Sequence, residues 1–147
     1  MTPYDTMMRL AGEMRERPGE RDHPAILWAH ELCGLSDVHD ETPWCSSGLN
    51  LVFWLHRKDR SKSARARSWL LVGASVEKDQ ARIGDVVILK RGGQGQPGPH
   101  IIKAPGHVGL FAGWDGNYVR IAGCNQSDGV NVSRYPSRRI LGIRRVA

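Results

Sequence analysis

A chain of 147 residues supports one hydrophobic core rather than two. Its 40% hydrophobic and 24% charged residues are those of an ordinary globular protein, and no apolar run approaches the ~20 residues that span a bilayer. The net charge of +6 arises entirely in the second half: residues 1–75 carry 10 Lys and Arg against 10 Asp and Glu, residues 76–147 carry 11 against 5. That excess favours an anionic partner and excludes a disordered acidic tail. Three cysteines, Cys33, Cys45 and Cys124, are too few and too scattered for a disulfide framework, and their odd number leaves at least one free.

In chain order, residues 3–16 predict an amphipathic helix, with Tyr4, Met7, Met8, Leu10, Ala11 and Met14 at helical spacing and Arg17-Pro18-Gly19 as its stop. Residues 1–20 are charged and lack the apolar core of a signal peptide, so synthesis in a cytoplasm is the expectation. A second helix is expected from about Pro24 to Cys33, closed at Gly34. The acidic segment Asp37–Glu41 leads into Thr42-Pro43-Trp44-Cys45-Ser46-Ser47. Pro43 suits the first turn of a helix, and Leu49, Leu51, Val52, Phe53, Trp54 and Leu55 make the helix after it apolar nearly all round. Between Arg57 and Arg67 six basic residues and one acidic residue form a solvated connection, and Ser61 or Ser63 is expected to cap a short helix through Leu71.

From Gly84 the period changes to that of strands: Asp85–Lys90, His107–Ala112, Tyr118–Ala122, Val130–Arg134 and Ile140–Val146. Asp115-Gly116-Asn117 is a hairpin signal, and the stretch holding Gly92, Gly93, Gly95, Pro97 and Gly98 marks a long loop up to residue 106. Helices first and strands afterwards predict one α+β domain over 1–147, its helical part about 3–73 and its sheet part about 84–146. The sheet is mainly antiparallel with about five strands, and the helices pack on one side of it.

Chemistry concentrates at three places. A cysteine at the start of a buried helix meets the positive end of the helix dipole, which favours thiolate over thiol. Alternation in Gly106–Ala112 places His107, Gly109 and Phe111 on one face and Val108, Leu110 and Ala112 on the other. The next antiparallel strand ends beside the start of this one, within reach of His107, and it carries Asn125 and Gln126. Thiol, imidazole and a polar side chain that orients the ring are the parts of thiol-based acyl transfer. Other candidates weaken: His30 and Cys33 at i, i+3 fit no zinc spacing with His39 or Cys45, and the glycines of 92–98 lack the Gly-Lys-Ser/Thr ending of a phosphate loop. The arginines 134, 138, 139, 144 and 145 read as a solvated face or as an adhesive surface for anionic envelope polymers.

The segments Asp40–Ser46, Ala66–Leu70, Gly84–Val87, Gly106–Gly109, Asn125–Ser127 and Val130–Pro136 together resemble papain-like cell-wall hydrolases of the NlpC and CHAP types, small phage endolysins above all, over roughly residues 20–145. The resemblance implies Cys45 as nucleophile, His107 as general base and acid, and Asn125 as third member with Gln126 as its alternative. Asp40, Glu41, Trp44 and Ser46 fall where substrate would bind. It further implies a murein peptidase or amidase acting on peptidoglycan as a monomer, with no metal, cofactor or specific nucleic acid, reaching the wall after holin release or delivery by a secretion system. In the family a small residue is expected at position 124, where this chain has Cys124. A basic nucleic-acid-binding module, or a phage structural module with an inactive site, is the alternative expectation.

Overall fold

A helix that is apolar nearly all round has to be covered on every side, and the architecture is arranged to do that for residues 45–53. A computed structural model describes residues 1–11, 24–35, 44–92, 95–126 and 129–147. It contains helices α1 (Pro3–Leu10), α2 (Pro24–Glu31) and α3 (Cys45–Leu55), a 3₁₀ helix (Ala66–Leu71), and strands β1 (Ala74–Ser75), β2 (Val86–Lys90), β3 (Gly106–Asp115), β4 (Tyr118–Gln126), β5 (Gly129–Pro136) and β6 (Ile140–Arg145). The strands form one antiparallel sheet in the order β1-β6-β2-β3-β4-β5. The class is α+β, and among the described residues no helix is long and apolar enough to cross a membrane.

Side-chain alternation divides the apolar residues between two faces. Val86, Ile88, Val108, Leu110 and Ala122 join Leu49, Val52 and Phe53 of α3, together with Met7, Ile26, Ala29, Trp44 and Trp69, in the main core. Val87, Leu89, Phe111, Val119, Ile121 and Ile143 form a smaller cluster on the other face. Strand β2, near the centre of the sheet, is buried on both faces, which explains its unbroken apolar run Val86–Leu89. Every residue of α3 from Cys45 to Phe53 is buried.

Local chemistry sets the element ends. Thr2 and Asp5 form a capping box at α1, with Asp5 N–H donating to Thr2 Oγ1 (3.2 Å) and Thr2 N–H to Asp5 Oδ2 (2.7 Å). The helix closes at Leu10, earlier than the expected residue 16; residues 12–16 and the Arg17-Pro18-Gly19 stop lie outside the described residues. After α2, Gly34 at φ +78° allows Gly34 N–H to reach Glu31 O (2.9 Å) and Leu35 N–H to reach His30 O (3.0 Å), a Schellman closure that ends the helix before Cys33. The hairpin falls where expected: Asp115 pairs with Tyr118, and Gly116 supplies the positive φ at the first of two turn residues.

Two expectations are corrected. The sheet has six strands, because the two-residue edge strand β1 begins before residue 84; it is too short to show alternation, and Arg144 anchors its approach by donating to the carbonyls of Val72 and Gly73. Neither Ser61 nor Ser63 caps an α-helix. The segment after them is 3₁₀, with Arg65 at its N-cap, and both serines belong to a polar network around Asn50. Fully buried, Asn50 donates to Ser46 O (2.9 Å), Ser61 Oγ (3.1 Å) and Ser63 O (3.2 Å) and accepts from Lys62 N–H (2.8 Å). It fixes Lys62 in the left-handed region at φ +57°. Replacing Asn50 with Ala strands these groups in the interior, and urea denaturation is expected to show a loss of about 3 kcal/mol.

Candidate active site

Cys45 is the first residue of α3, directly after Trp44 at the N-cap, and its side chain is 4% exposed. Burial is the largest influence on the thiol and would push its pKa up. The hydrogen bond and charge of the His107 imidazole, the Val108 backbone N–H and the Arg91 guanidinium together outweigh it, so the pKa lies below that of an ordinary cysteine. The other two thiols differ. Burial raises Cys33, with partial compensation from Ser47 and Arg60. Cys124 is raised further, by burial and by the neighbouring Cys45.

His107 is the second residue of β3, and its ring bonds through Nε2 to Gln126 Oε1 at 2.9 Å. The Gln126 amide nitrogen donates to Ile121 O (3.2 Å), Asn131 O (2.8 Å) and Asn131 Oδ1 (2.9 Å). Three acceptors around one end of the amide fix which end is the oxygen, so Oε1 must accept and His107 Nε2 must carry a proton. With Nε2 engaged, Nδ1 is the ring atom left for the Cys45 thiol. The Tyr135 ring lies 5.1 Å from the imidazole, centroid to centroid, and the Arg139 guanidinium stands over the Tyr135 ring, 5.4 Å from its centroid. Burial pushes the Tyr135 hydroxyl up to about 12, so it is a neutral wall rather than a second base.

The side chain that meets His107 is therefore that of Gln126, not Asn125. Between Gly123 and Gln126 the register slips against β5, with one extra residue on β4. Asn125 takes φ +57° within that bulge. The extra residue reverses the alternation, and Gln126 inherits the direction that a regular strand would have given to Asn125. Two glycines keep the space clear. A Cβ at Gly123 would lie 2.9 Å from Gln126 Oε1, and one at Gly109 would lie 2.4 Å from Ile121 Cγ2.

Trp44 and Ser46, expected to meet substrate, are both fully buried. Ser46 Oγ donates to Ser63 O (2.6 Å) and accepts from the Trp69 indole N–H (3.0 Å), so it serves the scaffold. Asp40 and Glu41 lie outside the described residues. Cys124 packs over Gly48, where an added Cβ would come within 2.4 Å of its sulfur, and points its thiol toward Met7 Sδ at 3.7 Å. It fills the gap between α3 and β4. Of the C-terminal arginines, Arg145 grips both Asp85 oxygens (2.9 and 2.7 Å), Arg144 holds the turn before β1, Arg139 donates to Lys90 O (3.0 Å), and Arg134 pairs with Asp115 (3.1 Å). These are internal fastenings as well as surface charge.

Cys45 opens onto a cavity of about 220 Å³, lined also by Ala64, Arg65, Ala66, Arg91 and residues 103–106. Arg67, one of the basic residues of the 57–67 connection, holds the loop that supplies part of this lining: fully buried, it donates to the carbonyls of Pro105 (3.0 Å), Pro97 (2.9 Å), Gly98 (2.7 Å) and Ile101 (3.2 Å). The sequence signal for such a clasp is an arginine beside Trp69 in an otherwise apolar turn, paired with a proline- and glycine-rich loop that needs external donors. Among the described residues no group of three or more His, Cys, Asp or Glu is placed to hold a metal ion. No protein-family model matches the chain, and no curated protein does.

Because the Cys45 pKa is lowered, its thiolate persists as pH falls below the range where an ordinary cysteine reprotonates. Iodoacetamide near neutral pH is expected to label Cys45 ahead of Cys33 and Cys124, as peptide mass spectrometry would show. Gly123→Ala, which crowds the Gln126 carboxamide, should slow that labelling severalfold while the far-ultraviolet circular dichroism stays that of the parent.

Proposed function

We propose that this chain is a peptidoglycan hydrolase of the papain-like NlpC/CHAP type, cleaving an amide of the murein stem peptide through a covalent thioester. One observation carries the reading: a thiol at a helix N-terminus faces an imidazole whose far nitrogen is held by a side-chain amide with all its own bonds satisfied. The murein substrate itself is supported by the ordered motifs around Cys45, Gly106–Gly109 and Val130–Pro136, and by the basic balance of the chain.

In the reaction, the Cys45 sulfur attacks the amide carbonyl, and the electron pair of the C=O bond moves onto oxygen. The Cys45 backbone N–H at the positive end of α3 is aimed at that oxyanion. On collapse the C–N bond breaks, and the protonated Nδ1 of His107 gives its proton to the departing amine, leaving a thioester. Water then attacks the thioester carbonyl as Nδ1 takes one of its protons. The C–S bond breaks, releasing the carboxylic acid and restoring the thiolate–imidazolium pair. Gln126 keeps Nδ1 directed at the sulfur through both halves and makes no contact with the reacting atoms. As a lytic enzyme of the endolysin kind, made in a cytoplasm, it would reach its substrate through a holin or a secretion system and act as a monomer.

Cys45→Ala removes the nucleophilic sulfur and leaves a smaller side chain in the same place. Clearing of purified murein should fall about 10³-fold or more, with the circular dichroism and melting curve of the parent. Clearing by this variant at the parent rate would sink the proposal.

A further inference from the structure

The cavity beside Cys45 carries three cations, Arg65, Arg91 and Lys103, and among the described residues that line it there is no carboxylate. Three separate segments deliver them: Arg65 precedes the 3₁₀ helix, Arg91 follows β2, and Lys103 lies on the loop returning to β3. Among the described residues none of the three has a carboxylate partner within salt-bridge distance. The Arg65 guanidinium donates to Lys103 O at 3.3 Å, tying two of the segments across the cleft. Arg139, donating to Lys90 O, fixes the end of β2 from which Arg91 projects. The buried Arg67 guanidinium gathers four carbonyls of the 97–105 segment, so the loop bearing Lys103 is seated before any ligand arrives. Arg67 adds a further positive charge beneath the same loop, with its remaining nitrogen, Nη2, buried and unbonded.

Like charges are not brought together around a small concavity without cost, and an anion within it relieves that cost. We infer that the cavity is a carboxylate subsite: Arg65, Arg91 and Lys103 receive a free carboxylate on the substrate residue next to the scissile amide. This rests on the thiol-hydrolase reading and narrows it to acidic stem peptides, because the anion must lie within reach while the carbonyl sits on Cys45. A neutral or amidated residue at that position would leave the three cations unpaired in the closed complex, which is the strongest form of discrimination such a pocket offers.

The test separates the subsite from the murein reading by using the thiol as its own reporter. Iodoacetate and iodoacetamide alkylate the same thiolate and differ in carrying a carboxylate or an amide. The ratio of their rates at Cys45, measured at one pH and low ionic strength, cancels any change in the thiol's own ionisation. In the variant R65Q/R91Q/K103Q that ratio is expected to fall about tenfold, and 0.5 M salt should lower the ratio of the parent toward that of the variant. An unchanged ratio in a variant with the parent's melting curve would overturn the subsite, whatever the enzyme does to murein. The second arm uses murein with its free carboxyls converted to amides. The parent should release muropeptides from it at least tenfold more slowly than from untreated murein, and the triple variant should lose that preference. Equal release by the parent from both would overturn the subsite. A fallen alkylation ratio, with no release from either substrate, would uphold the anion site and refute murein as the substrate.

Discussion

The close approach of α3 to the β3–β4 pair is the constraint on which the rest depends. Gly48 has no side chain, and the Cys124 sulfur occupies the space where a Cβ would have been. Residue 45 lies one turn earlier on the same helix, so the depth of that contact decides whether its thiol meets the start of β3. A second glycine contact, Gly109 against Ile121 and Ala122, brings β3 and β4 together, and Gly123 leaves room for the carboxamide that steadies the imidazole. The geometry of the candidate site is thus set by missing side chains as much as by reactive ones. Each missing side chain leaves room for a neighbour on the facing element: the Cys124 thiol at Gly48, Ile121 at Gly109 and the Gln126 carboxamide at Gly123.

Several polar groups inside the protein fasten segments together at places where the elements begin or end. Asn50 does so for residues 60–63, Arg67 for residues 97–105, and Asp85 with Arg145 for the start of β2 and the end of β6. Loops rich in glycine and proline cannot satisfy their own carbonyls, and a buried donor array replaces the water they would otherwise need. One of these anchors, Arg67, holds the segment that supplies Lys103 to Pro105 to the cleft. Its rim is therefore part of the folded core rather than a covering added to it.

Much of this was legible in the sequence. The change of period at residue 84, the Asp-Gly-Asn turn and the apolar α3 announced the α+β arrangement, because each expresses a local preference that the fold respects. Cys45 and His107 were legible for the same reason, being placed by regular elements. The third residue was not decidable between Asn125 and Gln126, because strand alternation carries no warning of a bulge, and one extra residue exchanges the two faces. Strand β1 is two exposed residues held by partners seventy positions away. Arg67 looked like one more member of a basic connection; only its carbonyl partners, some thirty residues on, reveal it as a clasp. Asn50, a lone amide in an apolar helix, was the one signal that sequence periodicity could have raised and did not.

Arg67 has a consequence for how the molecule responds to acid. A guanidinium stays protonated throughout the range in which thiols and imidazoles change charge, even where burial lowers its pKa. Had a histidine held this loop, protonation of the clasp and of the thiol–imidazole pair would overlap, and a loss of thiol reactivity could signify either. With arginine in that place the loop bordering the cleft keeps its anchor while the Cys45 thiol changes charge. The acid limb of a pH–rate curve would then be a record of the chemistry alone.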